Sequence, residues 1–155
     1  MKVIFLDVDG VLNFAKSEAR SPSGCIGIAE ACVKRLRKIV DQTNAKVVLI
    51  STWKKEWSMN LEECTPEGVY LTKKLVRHGI HILSKTTDGI VNRGEGIHNW
   101  LLQHDNVTNW IVLDDDVFSD YEQFQIYPHL ILTEFSTGLQ DEHVTQAIQL
   151  LNKGE

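Results

Sequence analysis

What this chain lacks narrows its class before any motif is read. No apolar run approaches the roughly 20 residues needed to cross a bilayer. The N-terminus has no basic region followed by a long apolar segment and a small-residue cleavage site. These absences point to a cytoplasmic protein with no membrane partner. Cysteine is scarce: Cys25, Cys32 and Cys64 are odd in number and form no C-x-x-C pair. That argues against a disulfide framework or a zinc knuckle and leaves them as small buried hydrophobes. The six histidines show neither H-x-x-x-H nor H-E-x-x-H spacing, so none is assigned to a metal. Positive charge is in deficit, with 16 Lys and Arg against 21 Asp and Glu and a net charge of −5. This argues against sequence-independent coating of nucleic acid while leaving room for a local basic rim. No internal repeat, low-complexity tract or linker interrupts the chain.

What is present is enough apolar material for a core: 43% of the 155 residues are hydrophobic and 24% charged, which fits one domain over 1–155. Short β-branched runs at 2–8 (KVIFLDV), 45–51 (AKVVLIS), 109–114 (NWIVLD) and 129–133 (HLILT) predict four strands, with "IHIL" at 80–83 as an edge strand. Ala29, Cys32, Val33, Leu36, Ile39 and Val40 recur at helical spacing. Further helices are predicted from Pro66 to His78, from Gly94 to Leu102, around 117–126, and over the stripe Val144, Ala147, Ile148 and Leu151. Strands alternating with helices imply a three-layer α/β/α, Rossmann-like fold. Its mostly parallel sheet would bind ligands at the carboxyl ends of the strands.

Those ends carry the chemistry. The first strand finishes in Asp7 and Asp9, followed by Gly10; the second in Ser51 and Thr52; the third in Asp114, Asp115 and Asp116. In a parallel sheet they share one edge and converge. Two carboxylates about 4 Å apart repel by on the order of 4 kcal/mol at an effective dielectric near 20. A hard divalent cation with oxygen ligands, Mg²⁺ before others, relieves that repulsion and makes the edge attractive to anions. Gly10 lets the chain turn sharply and bring backbone N–H groups near a phosphate.

"FLDVDGVL", "VVLIST", "VNRGEGIHNWL" and "WIVLDDD" occur in this order, and together resemble the four motifs of the haloacid dehalogenase (HAD) superfamily of phosphotransferases. "DVDGVLN", "STW", "RGEGIHNWL", "LDDD" and a late "TGL" are most similar to the small HAD domains grouped with bacterial and phage RNA-repair proteins. The resemblance implies a phosphomonoester hydrolase with an aspartyl-phosphate intermediate. It makes Asp7 the nucleophile and Asp9 the acid and base. Gly10, Ser51, Thr52 and Arg93 would contact the phosphate. Mg²⁺ would be held by Asp7, the Asp9 backbone carbonyl, Asp114 and Asp115, while Asp116 caps the helix expected at 117–126. Arg93 stands where the superfamily more often has lysine, with Lys85 and Lys54 as alternatives.

The segment 14–28 is long enough only for a loop or minimal flap, and 58–92 is accounted for by a helix, an edge strand and loops. With little or no cap to exclude water over a metabolite, a large phosphorylated partner is expected, either a nucleic-acid end or a phosphoprotein. Trp53 and Trp57, flanking Lys54 and Lys55, read either as a base-stacking platform or as core of one helix. Two other classes fit parts of the pattern. A TOPRIM-type nucleic-acid enzyme would want a Glu near the first strand and a later Asp-x-Asp. A receiver-like module would want an Asp where Ser51 stands, and a non-catalytic phosphate-binding HAD domain would have lost Asp7 or Asp9, both of which are present.

Overall fold

The alternation of side chains along the strands decides how the layers form. The structure is a computed structural model that describes residues 1–87 and 91–155. Strands β1 (Lys2–Leu6), β2 (Lys46–Leu49), β3 (Ile82–Lys85), β4 (Asn109–Asp114) and β5 (Leu130–Leu132) form one all-parallel sheet in the order β3-β2-β1-β4-β5. Ile4 and Leu6 of β1, Val47 and Leu49 of β2, and Ile111 and Leu113 of β4 point to one face. There they join a core with α1 (Glu30–Thr43), α2 (Pro66–Val76) and α4 (Asp141–Leu151). Val3, Phe5, Val48, Ile50 and Val112 point to the other face and pack with Ile97 and Trp100 of α3 (Arg93–Leu102) and with Tyr121 and Ile126. Period-two burial on both faces is what a sheet covered twice requires, and it gives the expected three-layer α/β/α arrangement.

The α1 stripe is buried at Cys32, Val33, Leu36 and Ile39, and the helix stops at Asn44, whose left-handed φ of 59° closes its last turn onto the Val40 carbonyl. Pro66 occupies the first turn of α2 behind a Thr65 cap. The edge strand lies two residues later than predicted, at 82–85 rather than 80–83, because Ile80 is drawn into the α1/α2 core and the β2/β3 register shifts between Val47 and Val48.

The helix predicted for 117–126 is not there. This stretch runs through turns, with Gln125 at a φ of 55°. Phe118, Tyr121 and Phe124 have helical spacing, but the polar groups between them are used elsewhere. The Asp120 carboxylate accepts the N–H groups of Gly94 (3.0 Å) and Glu95 (2.9 Å), capping α3 from outside. Gly94 is required there, since a Cβ would sit 2.7 Å from Asp120 Oδ1. Asp116 therefore caps no helix. Of the cysteines, only Cys32 is buried; Cys64 is half-buried and Cys25 exposed. Among the described residues no helix is long and apolar enough to cross a membrane.

The segment 14–28 carries turns and one antiparallel bridge, Arg20 to Ile26. It is tied sideways to α2, with the Ser23 N–H donating to Glu67 (2.7 Å) and the Ile28 N–H to the Tyr70 hydroxyl (2.9 Å). Between 58 and 92, a 3₁₀ turn at Leu61–Glu63, α2 and β3 account for most of the chain, and residues 88–90 of that span lie outside the described residues. Asp120→Ala should destabilise the protein by about 1 kcal/mol by uncapping α3. Urea denaturation measures this, and an unchanged midpoint would contradict the capping role.

Candidate active site

Parity and register bring the first two carboxylates together. Leu6 pairs with Leu113 across β1 and β4, and the ladder extends one step, the Asp7 N–H donating to the Leu113 carbonyl at 2.9 Å. Asp7 shares a face with Val3 and Phe5, and Asp114 with Val112, so both carboxylates emerge on the α3 side of the sheet. This is where the strand order reverses, between β1, whose chain continues to β2, and β4. Arg93, the first residue of α3, meets them there. Its guanidinium donates to Asp114 Oδ2 at 2.8 Å and lies 3.5 Å from Asp7 Oδ1, and it stacks over the Phe118 ring at 4.2 Å. Asp114 is fully buried and satisfied three ways, accepting also from the Tyr121 hydroxyl (2.8 Å) and the Asp116 N–H (3.0 Å).

Asp115 completes the group by leaning over Gly10. Gly10 has a φ of 82°, and a Cβ there would lie 2.1 Å from Asp115 Oδ2, so glycine is needed both for the turn and for the carboxylate's approach. The Gly10 carbonyl accepts from the Thr133 hydroxyl at 2.7 Å, which fastens the β1 turn to the end of β5. Oxygens of Asp7, Asp114 and Asp115 lie within 4.8 Å of one another. At that separation each pair of charges repels by about 3–4 kcal/mol at an effective dielectric near 20. Three negative charges against one guanidinium leave two, the charge of one divalent cation.

The electrostatics follow from this crowding. Burial, and then Asp114, hold the Asp7 carboxyl well above the usual carboxylate range, with Arg93 pulling the other way. Burial also raises Asp115. Burial acts to lower Arg93, but Asp7 and Asp114 outweigh it and keep the guanidinium charged. Tyr121 is pushed far up by burial and Asp114, so it remains a protonated donor to Asp114.

Asp9 stands apart from this group. Its side chain is exposed, and its carboxylate accepts from Asn13 Nδ2 at 2.9 Å and from the Trp53 indole N–H at 3.3 Å. It is not among the three grouped carboxylates, so any metal role for Asp9 is left to its backbone carbonyl. Asp9, Thr52, Trp53, Glu56, Glu67, Ser23 and Cys25 line a cleft of about 290 Å³.

Ser51 is buried at the end of β2, and its Oγ accepts the Trp53 N–H at 3.1 Å, leaving its hydroxyl proton to donate. Thr52 is exposed at the start of the 3₁₀ turn Thr52–Lys55. Among the cationic candidates, Arg93 reaches Asp7. Lys85 donates instead to the carbonyls of Lys54 and Trp57, at 2.8 and 2.7 Å, and Lys54 to Thr86 at 3.3 Å. Trp53 and Trp57 are 8% and 6% exposed and pack into the core, with Trp53 also bordering the Asp9 cleft. The sequence reading did not single out Asn13, Tyr121, Asp120 or Thr133. Asn13 sits inside the quoted "DVDGVLN" and was the most findable; the others act from turns whose path no periodicity reports.

A five-stranded parallel sheet bearing Asp-x-Asp-Gly after its first strand, an acidic end on β4 and a cation at the start of α3 defines a HAD domain. Residues 3–144 match the family described as the HAD domain in Swiss Army Knife RNA repair proteins, and the chain belongs to that family. No curated protein and no solved structure gives a match. The TOPRIM-type and receiver-like readings give way to this membership.

Two measurements probe the charge crowding. Because Asp7 binds its proton more tightly folded than unfolded, its stabilising contribution is full below the unfolded value near 3.9 and is lost as pH rises above it. Without divalent cation, Asp7→Asn should therefore be more stable than wild type at neutral pH, by about 1–3 kcal/mol. The margin should shrink on acidification in paired urea titrations. Conversely, Mg²⁺ at about a hundredfold over its Kd should stabilise the wild type by about 2.7 kcal/mol. Asp115→Asn should lose most of that thermal shift, and an equal shift would contradict the ligand assignment.

Proposed function

We propose that this HAD domain is a Mg²⁺-dependent phosphomonoester hydrolase working through an aspartyl-phosphate on Asp7. The observation that carries the reading is the division of labour between two aspartates one residue apart. Asp7 is buried against Arg93 among carboxylates, and Asp9 is exposed on a separate cleft.

Asp7 attacks phosphorus and the bond to the leaving oxygen breaks. Asp9 gives its proton to that oxygen, then takes one from the water that hydrolyses the acyl phosphate. Arg93 neutralises charge on the transferring group, and Ser51 donates its hydroxyl proton to a phosphoryl oxygen. Thr52 lines the Asp9 cleft, while the Gly10 backbone is taken up by Asn13 and Thr133 and serves the turn rather than the phosphate. Mg²⁺ held by Asp7, Asp114, Asp115 and the Asp9 carbonyl would supply charge neutralisation for both carboxylates and phosphate. The donor set, all hard oxygens carrying two uncompensated negative charges, suits that ion.

The substrate read from this arrangement is the terminal phosphate of a nucleic acid or nucleotide. Two things support it: the family's description as domains of RNA repair proteins, and a flap of only turns and one bridge in place of a larger cap over the site among the described residues. A phosphoprotein is the other partner the open site would admit.

The test is phosphate release from p-nitrophenyl phosphate and from 3′- and 5′-phosphorylated oligoribonucleotides, with Mg²⁺ and with chelator. Asp7→Asn should lose activity by at least about 10⁴-fold, given the enhancement such hydrolysis demands. Chelator should abolish turnover. Asp7→Asn turning over at the wild-type rate would refute the mechanism.

A further inference from the structure

Asp9 poses a problem that the phosphatase reading leaves open. An exposed aspartate ordinarily samples several rotamers, yet an acid must meet its leaving oxygen within hydrogen-bond reach. Here both carboxylate oxygens are engaged, one by Asn13 and one by Trp53.

We propose that Trp53, acting with Asn13, is a positioning residue that fixes the Asp9 carboxyl over the leaving-group cleft; the proposal rests on the phosphatase reading. The two donors are themselves anchored. Asn13 is fully buried, and its Oδ1 accepts the Gly10 N–H at 2.9 Å, which orients the amide so that Nδ2 faces Asp9 Oδ1. The same Nδ2 lies 3.4 Å from the Ile26 carbonyl, linking the clamp to the flap. Trp53 is held at both ends. Its backbone N–H donates to Ser51 Oγ, and its ring packs 6.5 Å from the Tyr70 ring, in the core. Its indole N–H can therefore point only where the fold aims it, at Asp9 Oδ2.

An indole N–H donates and cannot accept, so this contact fixes orientation without competing for the proton that Asp9 transfers. A carboxyl group offers about four lone-pair sites, and the clamp uses two, leaving the rest for that proton. Trp53 and Asp9 both border the 290 Å³ cleft, so the clamp lies at the cleft wall. In the transfer step the phosphorus–oxygen bond breaks as Asp7 bonds to phosphorus, and the proton of Asp9 goes to the departing oxygen. An alkoxide needs that proton as it leaves, whereas p-nitrophenolate departs without it.

A positioning role thus predicts a dependence on leaving group that a packing role does not. The experiment measures kcat/KM with saturating Mg²⁺ for p-nitrophenyl phosphate and glycerol 2-phosphate. It compares wild type, Trp53→Phe, and a chain carrying benzothienylalanine at position 53, which keeps the ring shape and replaces the N–H with sulfur. Trp57→Phe, a neighbouring buried tryptophan with no contact to Asp9, is the control. Loss of the N–H should lower kcat/KM for the glycerol ester by about tenfold or more, and for the nitrophenyl ester by less than about twofold. The benzothienylalanine chain should reproduce this selectivity even where Trp53→Phe is too unstable to assay, and Trp57→Phe should leave the ratio of the two esters unchanged. Equal losses on both esters, or full activity of the benzothienylalanine chain on both, overturn the clamp and leave the phosphatase reading standing. Failure of the wild type to release phosphate from either ester and from 3′- and 5′-phosphorylated oligoribonucleotides overturns that reading and the clamp with it.

Discussion

Three carboxylates whose oxygens lie within 4.8 Å of one another, answered by a single guanidinium, set the terms for the rest of this fold. Such a group is unfavourable in a sheet interior unless its surroundings are organised around it. Arg93 offsets part of the charge, the Tyr121 hydroxyl and Asp116 N–H satisfy Asp114, and Gly10 gives Asp115 the space to approach. The elements that look peripheral in the sequence are thus placed by this cluster. The start of α3 delivers the guanidinium, the turns at 117–126 deliver Tyr121 and the Asp120 cap, and the end of β5 fastens the Gly10 turn through Thr133. The remaining double negative charge could hold a divalent cation, which the proposed hydrolase would use to draw in a phosphate.

The parallel sheet makes this concentration of charge achievable. Its strands all end at the same edge, and the reversal of order between β1 and β4 opens a crevice without any loop having to reach across. Asp7 and Asp114 come together because adjacent strands in register present residues of the same face side by side. Asp9, two residues on, would share that face had the strand continued. The turn at Gly10 instead swings it to the cleft beside Trp53. One dipeptide step therefore separates the buried carboxylate that the proposed mechanism uses as nucleophile from the exposed one it uses to move a proton.

Much of this is readable in the sequence. The strands are legible because β-branched runs covered on both faces are continuous, and the carboxylates because acidic strand ends in a parallel sheet share one edge. Arg93 was legible as the basic residue opening a helix just upstream of the acidic strand. What escaped was set by tertiary demand. The 117–126 stretch has aromatic spacing that reads as a helix, but Asp120 and Tyr121 are used by α3 and Asp114, and the backbone follows them into turns. The ambiguity of Trp53 and Trp57 was resolved by burial, since nothing in "STWKKEW" tells which face of the turn meets the core. Asn13 lies within "DVDGVLN", and a buried asparagine three residues after a glycine turn is well placed to bind that turn.

Hydrolysis by the proposed route requires that Asp7 carry phosphate during turnover. Borohydride reduces an aspartyl phosphate to homoserine, so the decisive measurement is peptide mass spectrometry of wild type quenched with borohydride while turning over a phosphorylated oligoribonucleotide in Mg²⁺. The account predicts homoserine at position 7, dependent on both substrate and Mg²⁺. Homoserine at another aspartate, or none during sustained phosphate release, would contradict it.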